Sequence, residues 1–325
     1  MELMLWFNIS ILCLALVAAT TVSAGLDGAS EVTIKSTVDG ADQKAIFYIP
    51  PVAKPDGGTP TPLLVALHTW SGDYKQANDG IYFKLCVERK WTMIFPNFRG
   101  PNWTPQGCAS DLAVQDVLDA VEYARKHACV DNQRIYLVGA SGGGYMSLVM
   151  AHRAPAVWAG VSAWVPISDL TAWHTECKAA NRGYYKHIEA SCGGPPSPAT
   201  HAEYHKRSPL FHLAAAKGLP LDINAGIHDG HAGSVPVSHT LRAFNVVADA
   251  NGCPEAKVAD ADIASITASQ KVPASLTYTG DQPKSRRHKV LLQRAAGPAR
   301  VTIFEGGHEI DNAGAIAWLA EQRRK

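Results

Sequence analysis

Short runs of apolar residues alternate along this chain with segments in which apolar residues recur at helical spacing. This alternation is typical of a mostly parallel β-sheet covered by helices on both faces. Runs that are short, apolar and bounded by turn residues predict central strands, because such strands are buried on both faces. Six runs have this pattern: residues 63–67, 91–95, 135–138, 160–165, 221–225 and 301–304.

The rest of the pattern fits around such a sheet. The runs 31–36 and 45–49 predict an antiparallel pair of strands at its start. Val114, Val117 and Val121 keep helical spacing and predict a helix with one buried stripe. The segments 168–213 and 252–287 are irregular. The first of them follows a strand, and it predicts a cap or a long loop over the carboxyl ends of the strands.

The beginning of the chain is a different kind of segment. Residues 5–19 are apolar, and Val22-Ser23-Ala24 resembles a signal peptidase site. We therefore predict a signal peptide over residues 1–24, with cleavage after Ala24, and a secreted or periplasmic protein. The residues before the apolar run include Glu2 and no Lys or Arg. The alternative is therefore an uncleaved membrane anchor.

Length and charge exclude several classes of protein. A chain of 325 residues suits one large α/β domain, predicted over residues 25–325. The 30 Lys and Arg residues nearly balance 29 Asp and Glu, and loss of Glu2 with the leader raises the net charge from +1 to +2. So small a charge attracts neither nucleic acid nor an anionic membrane. With 46% hydrophobic and 18% charged residues, the composition predicts a soluble globular protein.

The cysteines bear on the compartment. Six lie outside the leader, and an even number suits an oxidising environment. Cys177 and Cys192 bracket a segment with little hydrophobic pattern, so they are the predicted disulfide. The alternative is that the cysteines are buried free thiols. A glycosylation acceptor stands at Asn102-Trp103-Thr104.

A candidate nucleophile follows the strand predicted at 135–138. The sequence Gly139-Ala140-Ser141-Gly142-Gly143 leads directly into apolar residues at helical spacing. Small residues two before and two after a serine permit the sharp turn that holds it in a strained backbone conformation. The pattern therefore predicts that Ser141 stands exposed at the end of a central strand.

A serine nucleophile needs a histidine base and an acid that orients the base. His308 lies in Glu305-Gly306-Gly307-His308-Glu309, directly after the strand predicted at 301–304. Asp229 follows the strand at 221–225, and the chain order Ser141, Asp229, His308 suits this type of sheet. Asp222 is the alternative acid, although its side chain would have to reach the site from the middle of a strand.

On these residues the sequence resembles the α/β-hydrolase superfamily over nearly all of residues 25–325. The segment 139–143 is similar to the nucleophile elbow of that superfamily, with Ser141, Asp229 and His308 as the catalytic triad. Leu67-His68-Thr69-Trp70-Ser71-Gly72 resembles a loop that usually reads His-Gly and supplies an oxyanion amide. The resemblance implies an oxyanion hole made by the amide of Thr69 or Trp70 and by that of Gly142.

Within the superfamily two different relationships are indicated. Asn97-Phe98-Arg99-Gly100 and Tyr204-His205-Lys206-Arg207-Ser208-Pro209 resemble the catalytic domain of the prolyl oligopeptidase family, whereas residues 300–308 are similar to secreted polyhydroxybutyrate depolymerases and feruloyl esterases. The peptidase pattern His-Gly-x-x-Asp matches residues 225–229 with alanine for the first histidine, and Val235-Pro236 comes three residues late. Counting back from Val235 gives Ala232, which cannot orient an imidazole.

Prolyl oligopeptidases carry a large propeller that filters peptides, whereas only about forty residues separate Ala24 from the first central strand. We therefore predict a carboxylic ester hydrolase that forms an acyl-enzyme with a small-molecule or polymer-linked ester. The alternatives are an aminopeptidase or dipeptidyl peptidase of the prolyl oligopeptidase type and a non-catalytic binding protein. No cofactor or metal is predicted. The candidate residues for an aryl or sugar wall, or for ordinary packing, are Trp70, Trp103, Trp164 and Trp173.

Overall fold

Nine strands form one sheet within residues 26–324, the part of the chain that this computed structural model describes. The predicted signal peptide lies outside the described residues. The strands are β1 Ala29–Lys35, β2 Asp42–Tyr48, β3 Thr61–Leu67, β4 Thr92–Pro96, β5 Val130–Ala140, β6 Gly160–Trp164, β7 Leu221–Gly226, β8 Val290–Ala296 and β9 Ala299–Phe304. Their order in the sheet is β1-β2-β4-β3-β5-β6-β7-β9-β8.

The centre of the sheet is parallel, as the apolar runs predict. Strands β4, β3, β5, β6, β7 and β9 pair in parallel, and they correspond to the six predicted central strands. The predicted opening pair is also confirmed, because β1 and β2 pair antiparallel. Strand β8 was not predicted: it pairs antiparallel with β9 at the edge of the sheet, where its buried residues alternate with half-buried ones.

Helices cover both faces of this sheet. Helices α2 (Asp111–His127), α3 (Gly142–Arg153) and α7 (Ser238–Ala250) pack on the strands, with α2 against α3. Helices α1 (Ile81–Arg89) and α9 (Asn312–Ala320) contact each other and pack on β4 and β6, two strands that α2 and α3 also contact. Among residues 26–324 no helix is long and apolar enough to cross a membrane. The helices are α1 Ile81–Arg89, α2 Asp111–His127, α3 Gly142–Arg153, α4 Leu170–Ala179, α5 Tyr184–Cys192, α6 His201–Arg207, α7 Ser238–Ala250, α8 Asp260–Ser269 and α9 Asn312–Ala320.

The segment 168–213, called the insertion below, lies between β6 and β7 and contains α4, α5 and α6. Helices α4 and α5 pack on each other, and His174 Nε2 of α4 lies 2.8 Å from Glu189 Oε1 of α5. The second segment predicted to be irregular, 252–287, contains α8. Both segments therefore have regular structure that the hydrophobic pattern did not reveal.

The predicted disulfide between Cys177 and Cys192 is wrong. Both side chains are buried free thiols, and so are Cys86 and Cys108, whereas Cys129 and Cys253 are half-buried free thiols. The physical reason is that α4 and α5 bury Trp173 and Ile188, so the insertion is stabilised by packing and needs no covalent link. The acceptor Asn102 is also inside the protein, with 1% of its surface exposed.

Candidate active site

Ser141 occupies the sharp turn between β5 and α3. Its backbone has φ 57° and ψ −119°, a region that non-glycine residues rarely adopt. The turn depends on small neighbours: a Cβ atom on Gly139 would lie 2.4 Å from the carbonyl carbon of Gly143, and one on Gly143 would lie 2.5 Å from Leu67 O. The Ser141 amide donates to Trp164 O at 2.9 Å, which fixes the turn against β6.

The structure joins Asp229 and His308. His308 Nδ1 donates to Asp229 Oδ2 at 2.7 Å, and the Asp229 side chain is fully buried. The other carboxylate oxygen, Oδ1, accepts the amides of Gly230 at 2.9 Å and Val235 at 3.1 Å. When Nδ1 of an imidazole donates to a carboxylate, its Nε2 is left free to take up a proton. The pair therefore has the arrangement of an oriented general base.

Asp222, the alternative acid, lies elsewhere. It is fully buried at the amino-terminal end of β7, where its carboxylate accepts from Arg300 Nε at 2.6 Å and from Ser162 Oγ at 3.1 Å, and Arg286 Nη2 lies 3.6 Å away. Burial alone would raise the pKa of Asp222, but the charges of Arg300 and Arg286 outweigh it and lower that pKa. Asp222 thus belongs to a buried ion-pair cluster at the start of β7 and β9.

Ser141, Asp229 and His308 follow the carboxyl ends of β5, β7 and β9, which meet at one edge of the sheet. The loops after β7 and β9 touch, because a Cβ atom on Gly226 would lie 2.2 Å from Gly307 O. Among the hydrogen bonds of residues 26–324, none links Ser141 Oγ to His308. His308 Nε2 instead lies 3.4 Å from Ser234 Oγ.

Ser234 was not identified from the sequence. It lies in the loop 230–234, called the acid loop below, which is the stretch that places Val235-Pro236 three residues late in the peptidase pattern. That spacing was the available signal, but the path of the loop was not predictable from it. A Cβ atom on Gly233 would lie 2.2 Å from Asp229 Oδ1 and 2.4 Å from His308 Cβ, so the acid loop lies directly on the acid and base.

The candidate oxyanion hole lies where the loop after β3 meets the start of α3. A Cβ atom on Gly142 would lie 2.3 Å from Trp70 N, so the two backbones are in contact. The Thr69 amide donates to Gln76 Oε1 at 2.9 Å and is therefore already bonded. Of the two predicted amides in this loop, the geometry favours that of Trp70.

Three of the four candidate tryptophans lie together beside this loop. The rings of Trp70 and Trp173 meet edge-on at 4.7 Å, and Trp70 Nε1 donates to His187 Nδ1 at 3.3 Å. Trp103 packs against His187 at 5.0 Å and is 38% exposed, whereas Trp70 and Trp173 are buried. Trp164 is separate from this group, because it is buried between Phe304 and Arg286.

The imidazoles near Asp229 have protein partners. His228 Nδ1 lies 2.9 Å from Gln270 Oε1, and its Nε2 lies 2.8 Å from Glu305 Oε1. These two hydrogen bonds raise the pKa of His228. Within residues 26–324 there is no group of three or more His, Cys, Asp and Glu residues that could hold a metal ion.

Comparison with known proteins adds a family and a fold. The sequence profile of the prolyl oligopeptidase family matches residues 91–258, which include Ser141 and Asp229. No curated protein sequence matches the chain. The acylaminoacyl peptidase of Pyrococcus horikoshii is similar in structure, with a TM-score of 0.55 and 18% identity, over 68% of this chain and 35% of that one.

A puromycin-hydrolyzing peptidase of Mycobacterium tuberculosis is also similar, with a TM-score of 0.58 and 19% identity, over 90% of this chain and 38% of that one. A puromycin hydrolase gives a TM-score of 0.58 and 15% identity, over 90% of this chain and 37% of that one. This chain thus spans little more than a third of the length of these proteins. The similarities confirm the predicted α/β-hydrolase fold.

Proposed function

The chain belongs to the prolyl oligopeptidase family and is a serine hydrolase of that family, and from this premise we propose that it is a serine peptidase that cleaves amide bonds. The observation that carries the proposal is the 2.7 Å hydrogen bond between His308 and Asp229 at the sheet edge where Ser141 stands. Peptidase activity replaces the ester hydrolysis expected from the sequence, because the family match and the similar structures favour the alternative.

In the proposed reaction Ser141 Oγ attacks the substrate carbonyl and transfers its proton to His308 Nε2. Asp229 stabilises the imidazolium that forms, and the leaving amine takes the proton from His308. Water then attacks the acyl-enzyme with His308 as base and releases the product and free Ser141.

The amides of Gly142 and Trp70 are proposed to stabilise the negative charge on the carbonyl oxygen. A donor of this kind contributes about 3–4 kcal/mol to the transition state. The contact between the two backbones supports the assignment, since it brings the loop after β3 and the first residue of α3 to one place. Preorganised donors need no rearrangement when the charge develops.

The substrate side of the proposal rests on the exposed Trp103 and the neighbouring His187, which form an aromatic wall next to the loop that carries Trp70. Planar aromatic surfaces favour apolar or aromatic groups of a ligand. We therefore expect aminoacyl or peptidyl amides with an aromatic residue to be better substrates than those with a charged residue.

Amide substrates provide the decisive test, because serine peptidases also hydrolyse activated esters. The panel consists of alanyl, phenylalanyl, prolyl and N-acylated aminoacyl anilides beside acetyl, butyryl and feruloyl esters, with kcat/KM measured for each. Ser141→Ala is the control for a contaminating hydrolase. Turnover of at least one anilide that is lost in Ser141→Ala supports the proposal, whereas turnover of esters alone would return the protein to the ester hydrolases.

Export of the protein is also a proposal. The apolar run at residues 5–19 and the small residues before Gly25 support a leader that is cleaved after Ala24. The intact mass of the protein purified from its host tests it: a chain beginning at Gly25 is expected, and a full-length chain recovered with the membrane fraction would support the anchor instead.

A further inference from the structure

The insertion does more than stand beside the candidate active site, because two of its side chains bind the backbone of the acid loop. Arg182, between α4 and α5, donates from Nη1 to Gly233 O and from Nη2 to Gly230 O and His231 O, both at 3.3 Å. A guanidinium carries its donors in a rigid planar fork, so one side chain fixes three carbonyl groups.

The second side chain is Trp173 of α4. Its Nε1 donates to Ser234 O at 2.8 Å, and its ring is buried between Trp70 and Tyr184. Arg182 and Trp173 together therefore bind four of the five carbonyl groups of the acid loop.

The acid loop in turn bears on the reacting groups. The Val235 amide, where the loop ends, donates to Asp229 Oδ1 at 3.1 Å. Gly233 packs so closely on Asp229 and His308 that no Cβ atom fits there. Ser234 Oγ lies 3.4 Å from His308 Nε2, the atom that must exchange protons with Ser141. A shift of this loop would therefore move both members of the acid and base pair.

The loop has intrinsic reasons to shift when it is not held. Gly230 has φ 91°, and glycine occupies two of the five positions of the acid loop. Without contacts from outside, the loop could therefore adopt many alternative conformations. Contacts from outside the loop must select one of them. The insertion supplies four of those contacts, through Arg182 and Trp173, and α8 supplies another, since His231 Nε2 lies 2.7 Å from Thr267 O.

We propose that Arg182 and Trp173 are positioning residues that hold the acid loop against Asp229 and His308 and thereby keep the imidazole aligned for proton transfer. The inference rests on the proposed serine peptidase function. It gives the insertion a role in the chemical step, in addition to any contact with the substrate.

The test uses three substitutions: Arg182→Ala, Arg182→Lys and Trp173→Phe. Arg182→Lys keeps the charge but loses the fork, and Trp173→Phe keeps a ring but loses the donor. The matched controls are Arg153→Ala, which removes an arginine paired with Asp111 on the surface, and Trp158→Phe, which removes a buried indole donor to Met150 O at 3.2 Å. Arg182→Lys also serves if Arg182→Ala does not fold.

Acylation is followed through the rate at which a fluorophosphonate labels Ser141, and the kcat and KM are measured with the best anilide. Each of the three variants is expected to label about 10-fold to 100-fold more slowly, because misplacement of a reacting group by about 1 Å costs rate of this order. The loss should fall on kcat rather than on KM. Millimolar guanidinium should restore part of the rate of Arg182→Ala, which a merely structural defect would not allow.

A second readout is the low-field proton NMR signal of His308 Nδ1–H, which should weaken or shift in the three variants and remain in the two controls. Failure of labelling at Ser141 in the unmodified protein would refute the proposed function itself. If the unmodified protein is labelled and the Arg182 and Trp173 variants label as fast with the same NMR signal, the serine hydrolase mechanism stands and the positioning role is overturned.

Discussion

Two buried aspartates of the same chain segment offer a direct test of the site. Asp222 lies inside β7 in contact with Arg300 and Ser162, and Asp229 lies beyond the strand end in contact with His308. Asp222→Asn removes one negative charge with little change of shape. We expect Asp222→Asn to reduce stability and leave catalysis intact, whereas Asp229→Asn should impair catalysis and leave stability intact.

The expected loss of stability in Asp222→Asn follows from the charges that lose their partner. The Arg286 side chain is 4% exposed and that of Arg300 is 25% exposed. The substitution therefore leaves one buried and one partly solvated guanidinium without a carboxylate partner. Removal of one partner from a buried ion pair costs about 3–5 kcal/mol. Water at Arg300 offsets part of that loss, so we expect the lower end of this range. Because a domain is stable by about 5–15 kcal/mol, the variant should still fold.

The pH dependence has a definite sign. The pKa of Asp222 is lower in the folded protein than its usual value, so its ion pairs contribute stability above the unfolded pKa of about 3.9 and lose it as the pH falls through the folded value. The difference in unfolding free energy between the unmodified protein and Asp222→Asn should therefore be full at neutral pH and shrink in strong acid.

Urea unfolding gives the stability, and kcat per labelled active site gives the catalysis. Asp229→Asn is expected to lower kcat by about 10⁴-fold, as removal of the triad carboxylate does in serine proteases. The assignment of Asp229 would be refuted if Asp222→Asn lost kcat at unchanged stability while Asp229→Asn remained active.

Three further predictions concern the surroundings of the site. Gly142→Ala places a Cβ atom 2.3 Å from Trp70 N and should lower kcat by about 10²–10³-fold. The control is Gly183→Ala, which should keep its kcat because the new Cβ atom would meet nothing within 4 Å. Equal kcat in the two variants would contradict the proposed oxyanion hole. The raised pKa of His228 means that its contacts with Gln270 and Glu305 contribute stability below the unfolded pKa of about 6.5, and that this stability is lost as the pH rises through the folded pKa. The Tm of the unmodified protein should therefore exceed that of His228→Gln by less as the pH rises, and a constant difference in Tm would contradict this reasoning. Alkylation of the denatured, unreduced protein should modify all six described cysteines, and an unmodified pair in peptide maps would reveal a disulfide.

The sheet could be predicted because its central strands are buried on both faces and therefore form continuous apolar runs. Strand β8 was not predicted because it lies at an edge, where the apolar run 290–292 is short and is followed by the half-buried polar residues Gln293 and Arg294. Helices α4 and α5 escaped because the insertion is rich in polar and aromatic residues whose partners lie on the neighbouring helix. The same packing made the expected disulfide unnecessary.

The elbow at Ser141 is predictable since its sequence signature is local, with glycine at 139 and 143, although the collision that demands glycine at 143 is with Leu67 O of β3. Asp229 was harder to identify, because residues 222 and 229 are both aspartates near β7 and only the path of the chain separates their roles. The contacts that hold the acid loop were beyond sequence reasoning. Arg182 binds the carbonyl of Gly233, 51 residues away, and Trp173 binds that of Ser234, 61 residues away. No repeating pattern in the sequence indicates either contact.

The contacts from Trp173 through Ser234 to His308 suggest a final test of whether the insertion acts through the acid loop. Trp173 Nε1 holds Ser234 O at 2.8 Å, and Ser234 Oγ lies 3.4 Å from His308 Nε2. Residues that act along one path couple, with interaction energies of about 0.5–3 kcal/mol, whereas distant sites add. We expect Trp173→Phe to lower kcat much less in a Ser234→Ala background than in the unmodified protein. The pair Trp158→Phe and Ser234→Ala should be additive, and additivity of both pairs would mean that Trp173 affects catalysis by another route.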